Sequence, residues 1–307
     1  MSTPAPASPD PLVQGNPDGG LSGFLPRLTA EAFGSLFVVV VGLGVPLFSI
    51  PQSSPLPAAL AAGLAVTAAM LAFGHVSGGH FNPAITLGHL LAGRISAGTA
   101  AAYAAAQSIG AFAGALALYG ILRTLPGIVD SRTAFDTVAA GFGEHSIIQA
   151  PLAAVLLLEV LGASIIVAVF LGAAGREAGG RDTVGRDTVP ASVPASLAVG
   201  LSVAALLQLG QSVGNLPFNP ARAAASALFS SEWAIGQVWV FVAAPLAGAV
   251  VAGLAFRSFT AGAAGAAASS IATSGEPATA EPVAEPQTPG FPDQADEARE
   301  FFDGRRS

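Results

Sequence analysis

The 307-residue chain is 52% hydrophobic and only 10% charged, with a mean hydropathy of +0.64. A soluble domain carries about 25% charged residues, so an ordinary solvated surface is excluded and most of the surface is expected to face lipid. The net charge of −7 gathers largely in the C-terminal tail, which leaves nucleic-acid binding unsupported, and the absence of Cys rules out disulfides, thiol chemistry and Cys-ligated metals.

Residues 1–26 carry no basic residue and are rich in Pro, Ser and Gly. A signal peptide needs a positive stretch before its apolar run, so this segment reads as a disordered arm. Six apolar runs follow, at approximately 28–48, 57–76, 98–122, 149–173, 192–212 and 234–257. Each is near the roughly 20 residues that cross a bilayer as a helix. Two shorter runs, 82–93 and 219–229, are too short to span and read as re-entrant half-helices. Residues 258–307, rich in Ala, Pro, Thr and Glu, read as a second disordered tail. The chain thus divides into an arm (1–26), a membrane domain (27–257) and an acidic tail (258–307).

All twelve basic residues are Arg. With both termini inside, Arg27, Arg94, Arg176, Arg181, Arg186 and Arg257 lie beside the cytoplasm, and Arg123 and Arg132 lie outside. That distribution obeys the positive-inside rule. An inner (plasma) membrane location is expected. Residues 180–189 are Gly-Arg-Asp-Thr-Val written twice, which reads as a duplication in a tolerant cytoplasmic loop.

The halves repeat. Ala30-Glu31-Ala32-Phe33-Gly34 resembles Leu158-Glu159-Val160-Leu161-Gly162, and Gln107-x-x-Gly110-Ala111 resembles Pro245-x-x-Gly248-Ala249. Three spans per half place the second half upside down, which is an inverted 3+3 repeat of the kind that carries solutes at the membrane midplane. The sharpest match is Phe-Asn-Pro-Ala, at Phe81–Ala84 and Phe218–Ala221. Asn at a helix start accepts from free backbone N–H groups, and Pro at the next position needs no hydrogen bond there and presets φ. Asn82-Pro83-Ala84 and Asn219-Pro220-Ala221 therefore predict two half-helices meeting head to head, with the amide NH2 of each Asn free to donate into a passage. Two positive helix ends oppose cations and protons there. This logic is the known one for aquaporin-type pores.

Gly74–Ala84, read His75-Val76-Ser77-Gly78-Gly79-His80-Phe81 before its Asn-Pro-Ala, and Phe218–Arg222 resemble the two signature loops of the aquaporin (major intrinsic protein) family. The resemblance covers about residues 28–257. It implies an all-α membrane protein of six transmembrane helices plus two re-entrant half-helices, assembled as a homotetramer with one pore per subunit. It implies that Arg222 lines a filter, donates to the solute and repels cations, and that Ala62, Leu207 and Leu216 complete that filter. It implies that Glu31 and Glu159 hold the backbone donors of the loops. His75 and His80 are expected to brace the first loop, whereas His89 and His145 are expected to be incidental.

Water-selective members usually place an aromatic at the first filter position and His at the second, where this chain has Ala62 and Leu207. Glycerol-conducting members usually have aromatics at the first and third, and Asp after the Arg, where this chain has Ala62, Leu216 and Ala223. Gln208, next to Leu207, is a candidate to restore a polar contact by a small helix rotation. The expectation is passive conduction of water, with small neutral solutes such as glycerol as the alternative, and no enzyme activity, cofactor or metal. A coupled secondary transporter needs a titratable midplane site and a non-conducting structural protein needs no intact filter; both are rival classes.

Overall fold

The computed structural model describes residues 21–49, 56–179 and 192–273. The first twenty residues, the duplicated loop at 180–189 and the tail beyond 273 lie outside the described residues. The chain divides into a compact unit, Met1–Ala261, and a second unit, Gly262–Ser307, whose described residues are helical.

Six long helices, each apolar enough to cross a membrane, appear among the described residues. They are α1 (Leu21–Phe48), α2 (Ala58–Ser77), α4 (Ala97–Leu122), α6 (Leu152–Gly179), α7 (Ser192–Gly214) and α9 (Glu232–Thr273). Two short helices, α3 (Pro83–Leu91) and α8 (Pro220–Phe229), take the places expected for half-helices. At 1.5 Å per residue they are about 14 and 15 Å long, roughly half of a 30 Å hydrocarbon core. A six-residue helix, α5 (Ser131–Asp136), was not anticipated; Asp130 caps it by accepting from the Arg132 N–H at 2.9 Å. The Thr133 hydroxyl and the Arg132 N–H hold the Asp130 carboxyl below its usual range.

Two boundaries differ from the sequence reading. The first helix begins at Leu21, inside the expected arm, because Leu21–Leu25 extends the apolar run; Pro26 falls in its second turn, where it costs one backbone hydrogen bond without ending the helix. The last helix runs past Arg257 to Thr273 because Ala261–Ala268 holds six Ala, the best helix former, which outweigh Gly262 and Gly265, and no Pro follows Pro245 until Pro277.

The helices pack through small residues, as expected where lipid supplies no hydrophobic driving force between helices. A Cβ at Gly110 of α4 would overlap the Ala32 carbonyl of α1. Its counterpart, Gly248 of α9, meets the Val160 carbonyl of α6 in the same way. Gly63 of α2 and Gly200 of α7 face each other so closely that a Cβ on either meets the other's carbonyl. The Thr67 hydroxyl, 3.2 Å from the Gly63 carbonyl of its own helix, also donates to the Ser196 carbonyl at 3.2 Å across the α2–α7 contact. These paired contacts make the inverted repeat a physical one: equivalent glycines let equivalent helices touch.

Candidate functional site

The two Asn-Pro-Ala copies meet inside the bundle. Asn82 caps α3, its Oδ1 accepting from the Ala84 N–H at 2.9 Å. Asn219 caps α8, its Oδ1 accepting from the N–H groups of Ala221 at 3.0 Å and Arg222 at 3.3 Å. Pro83 and Pro220 occupy the first helical positions. With each amide oxygen fixed by its own cap, each Nδ2 faces the opposite loop. Asn82 donates to the Phe218 carbonyl at 2.9 Å and Asn219 donates to the Phe81 carbonyl at 3.1 Å. The expectation that both NH2 groups stay wholly free is therefore corrected. One hydrogen of each joins the loops, which leaves each amide one further N–H.

Phe81 and Phe218 make this exchange possible, and sequence reasoning missed them. Both have positive φ, 50° and 49°, a conformation that is rare for a bulky residue and costs of order 1–3 kcal/mol. It turns each carbonyl toward the other loop. Each ring fits against a helix glycine whose Cβ would overlap it, Gly34 for Phe81 and Gly162 for Phe218. The matching Phe-Asn-Pro-Ala and Glu-x-x-Gly patterns in both halves were the signal.

Glu31, fully buried, braces the first loop. Its carboxylate accepts from the Ser77 hydroxyl at 2.6 Å, the His80 N–H at 3.0 Å, the Phe81 N–H at 2.8 Å and the Gln107 amide at 2.7 Å. Glu159, also fully buried, accepts from the Phe218 N–H at 3.3 Å, while its second oxygen has no partner. His80 stands in the first loop with Nδ1 3.1 Å from the Thr86 hydroxyl. His75 does not join it: this residue is exposed on the last turn of α2, and Ser77 occupies the bracing position, its Oγ also accepting from the Gly79 N–H at 3.1 Å. His89 is not incidental to packing, for its ring lies 4.2 Å from that of His80 and 4.8 Å from that of Phe170. His145 stacks on Trp233 at 3.8 Å.

A narrow cavity adjoins the paired Asn residues, and a wide one shares part of its lining. The narrow one, about 30 Å³, has an apolar wall of Val38, Val66, Ile85, Ile166 and Val203, and a polar track of His80, Asn82 and Asn219. Its volume suits one or two water molecules. The wide one, about 350 Å³, is lined by Asp136, Thr137, His145, Gln211 and Asn215 among others. Gly42, Ala62, Leu207 and Arg222 line both. Arg222 is buried, with Nη2 donating to the Gly42 carbonyl at 3.4 Å and the Nε–H without a protein partner. No carboxylate lies within ion-pair distance of it among the described residues.

The other expected filter residues divide. Ala62 and Leu207 line both cavities. Leu216 lines neither cavity, because it folds back on α7, where its Cβ would sit 2.7 Å from a Cβ on Gly210 and its N–H donates to the Gly210 carbonyl at 3.3 Å. Gln208 is exposed and lines neither cavity, since the helix rotation needed to bring it inward would turn Leu207 out. Gln211, one turn further, supplies the polar group on α7 instead.

The arrangement can therefore hold a short file of neutral, hydrogen-bonding molecules between two capped helix ends and one buried cation. A family model described as major intrinsic protein matches residues 21–256. The chain belongs to the major intrinsic protein family. A relative named Aquaporin Z, from Photorhabdus laumondii, is 33% identical over 237 residues, covering 76% of this chain and 96% of its own length. Among solved structures, the X-ray structure of the aquaglyceroporin from Plasmodium falciparum matches with a TM-score of 0.61 and 20% identity, covering 77% of this chain and 95% of that one. At that identity the likeness speaks to the fold alone. Members of this family are channels rather than enzymes, and the chain is a multi-pass membrane protein with the family's all-α fold.

Proposed function

We propose that this family member is a passive water channel that excludes protons and ions. The observation that carries the reading is the reciprocal pair of bonds from Asn82 to Phe218 and from Asn219 to Phe81. It fixes two helix N-termini nose to nose, leaving one N–H of each amide to donate to the same narrow cavity. A water oxygen held there by two donors cannot also accept from its neighbour, so the chain of hydrogen bonds along the file is interrupted. The positive helix ends and the Arg222 guanidinium add a field that disfavours any cation. The apolar wall opposite supplies no group to hold a water back. Asn82, Pro83, Ala84, Asn219, Pro220 and Ala221 are the pore-forming set in this reading, with Ala62, Leu207 and Arg222 at the filter. Glu31, Glu159 and His80 support the loops.

Exposed apolar side chains such as Phe33, Ile109, Leu157 and Trp239 fit a lipid-facing or subunit-facing surface. The reading places the chain in the inner membrane as a homotetramer, with both termini cytoplasmic and the wide cavity opening outward. The Arg distribution and the Aquaporin Z relative support it. Stopped-flow light scattering on vesicles reconstituted with the full chain tests it. Water permeability well above that of empty vesicles, with no accompanying proton conductance, is expected; permeability equal to empty vesicles defeats the reading.

A further inference from the structure

The narrow cavity has His80 in its lining, beside Asn82. The hydrogen bonds around that ring fix where its proton sits. Gln107 turns its NH2 to two oxygens, Glu31 Oε2 at 2.7 Å and Thr86 Oγ1 at 2.8 Å. The reverse orientation of the amide would set its oxygen against the carboxylate, so Gln107 donates both bonds. Thr86 Oγ1 therefore accepts, and its own hydrogen goes to its other neighbour, His80 Nδ1, at 3.1 Å. An Nδ1 that accepts carries a lone pair, so the ring is neutral with its proton on Nε2. That Nε2 makes no hydrogen bond within the protein among the described residues, and unlike the Nε of Arg222 it is open to a water molecule. The ring is also held from its sides. His89 stacks on it at 4.2 Å, and the rings of Tyr103 and Phe170 stand edge-on at 5.5 and 5.6 Å. His89 Nδ1 lies 2.9 Å from the Ile85 carbonyl, which can only accept, so His89 carries its proton on Nδ1. The two stacked rings thus hold opposite tautomers.

Resting on the channel reading above, we infer that His80 is a third donor to the water file, with Thr86 and His89 as the positioning residues that aim its Nε2–H into the narrow cavity. Glu31 is the origin of this chain of bonds. Its carboxylate orients Gln107, Gln107 orients the Thr86 hydroxyl, and that hydroxyl sets the tautomer of His80. A water on the first-loop side of the amide pair accepts from the water held by Asn82 and Asn219 and from His80. Both its hydrogens then point away from the pair, and neither lone pair is left to take a proton. The file is interrupted twice, once at the amides and once beside them.

The first arm of the test is nitrogen NMR of the full chain with isotopically labelled histidine. The chain has four His, and His75→Ala and His145→Ala identify the signals of the two outside this cluster. His80 is expected with a bare Nδ1 and a protonated Nε2, and His89 with the reverse. The second arm measures proton and water permeability in the same reconstituted vesicles for the wild type, Thr86→Val and Thr86→Ser. Thr86→Val keeps the shape and removes the hydroxyl, and is expected to raise the proton-to-water ratio about fivefold, the factor carried by one ordinary hydrogen bond. Thr86→Ser keeps the hydroxyl and is expected to match the wild type. Thermal unfolding in detergent checks that both variants fold, and the spectrum of the wild type decides the tautomer if Thr86→Val does not. His80 bearing its proton on Nδ1, or on both nitrogens, in a protein that passes water overturns the donor role alone. A ratio unchanged in folded Thr86→Val overturns the part given to Thr86 and the second interruption. A wild type that passes no water overturns the channel reading and the donor role with it.

Discussion

Glu31 and Glu159 occupy equivalent places in the two halves and are used unequally: Glu31 collects four donors, Glu159 one. The cause lies in the residues around them. Where the first loop offers the Ser77 hydroxyl, the His80 N–H and the Gln107 amide, the second has Gly214, Pro217 and Pro245. Gly brings no hydroxyl, Pro brings no N–H, and the Pro245 ring replaces an amide. The inverted repeat keeps the backbone of the loops symmetrical, down to φ values of 50° and 49° at Phe81 and Phe218. It does not keep the support beneath them.

Glu31→Gln and Glu159→Gln should therefore differ. In Glu31→Gln an NH2 group faces donors where a carboxylate accepted from them. Hydrogen bonds to charged groups contribute about 1.5–3 kcal/mol each, so a cost of about 3 kcal/mol is expected, seen as a clear drop in thermal unfolding temperature in detergent and loss of water permeability. Glu159→Gln keeps an acceptor for the Phe218 N–H and should change both by little. Equal destabilisation by the two would refute this division of labour.

The exchange between the loops makes a second prediction. Asn82→Ala removes both the α3 cap and the bond to Phe218, and Asn219→Ala removes both the α8 cap and the bond to Phe81. A cap alone is worth about 1 kcal/mol. The two substitutions should each cost more than that, and in combination less than their sum, because either one already loosens the shared junction. Strict additivity in equilibrium unfolding would mean that the loops are held independently.

Much of this was legible from the chain. Six spans and two half-helices follow from run length, and the repeat follows from matched motifs, because both are set by local sequence. Asn82, Asn219, Arg222 and Glu31 follow from residue types placed where charge or amide groups are otherwise unwelcome. Gly42 was hidden because a glycine in an apolar helix looks the same whether it faces lipid, a neighbouring helix or a pore. Leu216 was misplaced because counting from Asn219 fixes its distance along the chain, whereas its direction is set by contact with Gly210. His75 was misassigned for the same kind of reason: two residues, a little over half a turn of helix, put the exposed His75 on the opposite face from Ser77, whose hydroxyl reaches Glu31.

Helix contacts give a third prediction with an internal control. A Cβ at Gly110 or Gly248 collides with a backbone carbonyl of the facing helix, which cannot rotate away. Gly110→Ala and Gly248→Ala should each destabilise by about 1–3 kcal/mol, the usual range for overpacking. Gly120, on the same helix as Gly110, has nothing within 4 Å of its Cβ position, so Gly120→Ala should be neutral or stabilise slightly through helix propensity. Thermal unfolding of the three variants side by side checks this, and a loss at Gly120 equal to that at Gly110 would contradict it.

The short helix α5 gives a fourth. Arg132 donates to the Ser230 carbonyl at 2.7 Å, past the C-terminal end of α8, and Asp136 accepts from the Ser231 N–H at 2.8 Å and its hydroxyl at 2.7 Å, at the start of α9. A cation at a helix C-terminus and an anion at a helix N-terminus both suit the backbone dipoles. Asp136→Ala should cost about 1 kcal/mol as a lost cap and loosen the far end of α8. Hydrogen exchange should then rise at Ser230 and Ser231 first. Unchanged exchange there would show that α8 is held from its Asn219 end alone.

The last prediction separates the two sources of cation exclusion. The guanidinium of Arg222 is a full charge with no carboxylate within ion-pair distance among the described residues, and it stands where the wide cavity narrows. The helix ends at Asn82 and Asn219 each carry only about half a charge, and that field fades within a turn. Arg222→Val should therefore retain water permeability, because the substitution enlarges the constriction and leaves both capped Asn residues in place. It should also admit a measurable proton or monovalent-cation leak, because the larger of the two fields is gone. The leak should remain well below that of an open aqueous pore, because the paired amides still interrupt the file of water. Vesicles loaded with a pH-sensitive dye, assayed alongside stopped-flow water transport, distinguish the outcomes. Silent conductance with normal water flow would assign exclusion to the helix ends, and loss of water flow without a leak would make Arg222 a structural residue that holds α8 to the Gly42 carbonyl.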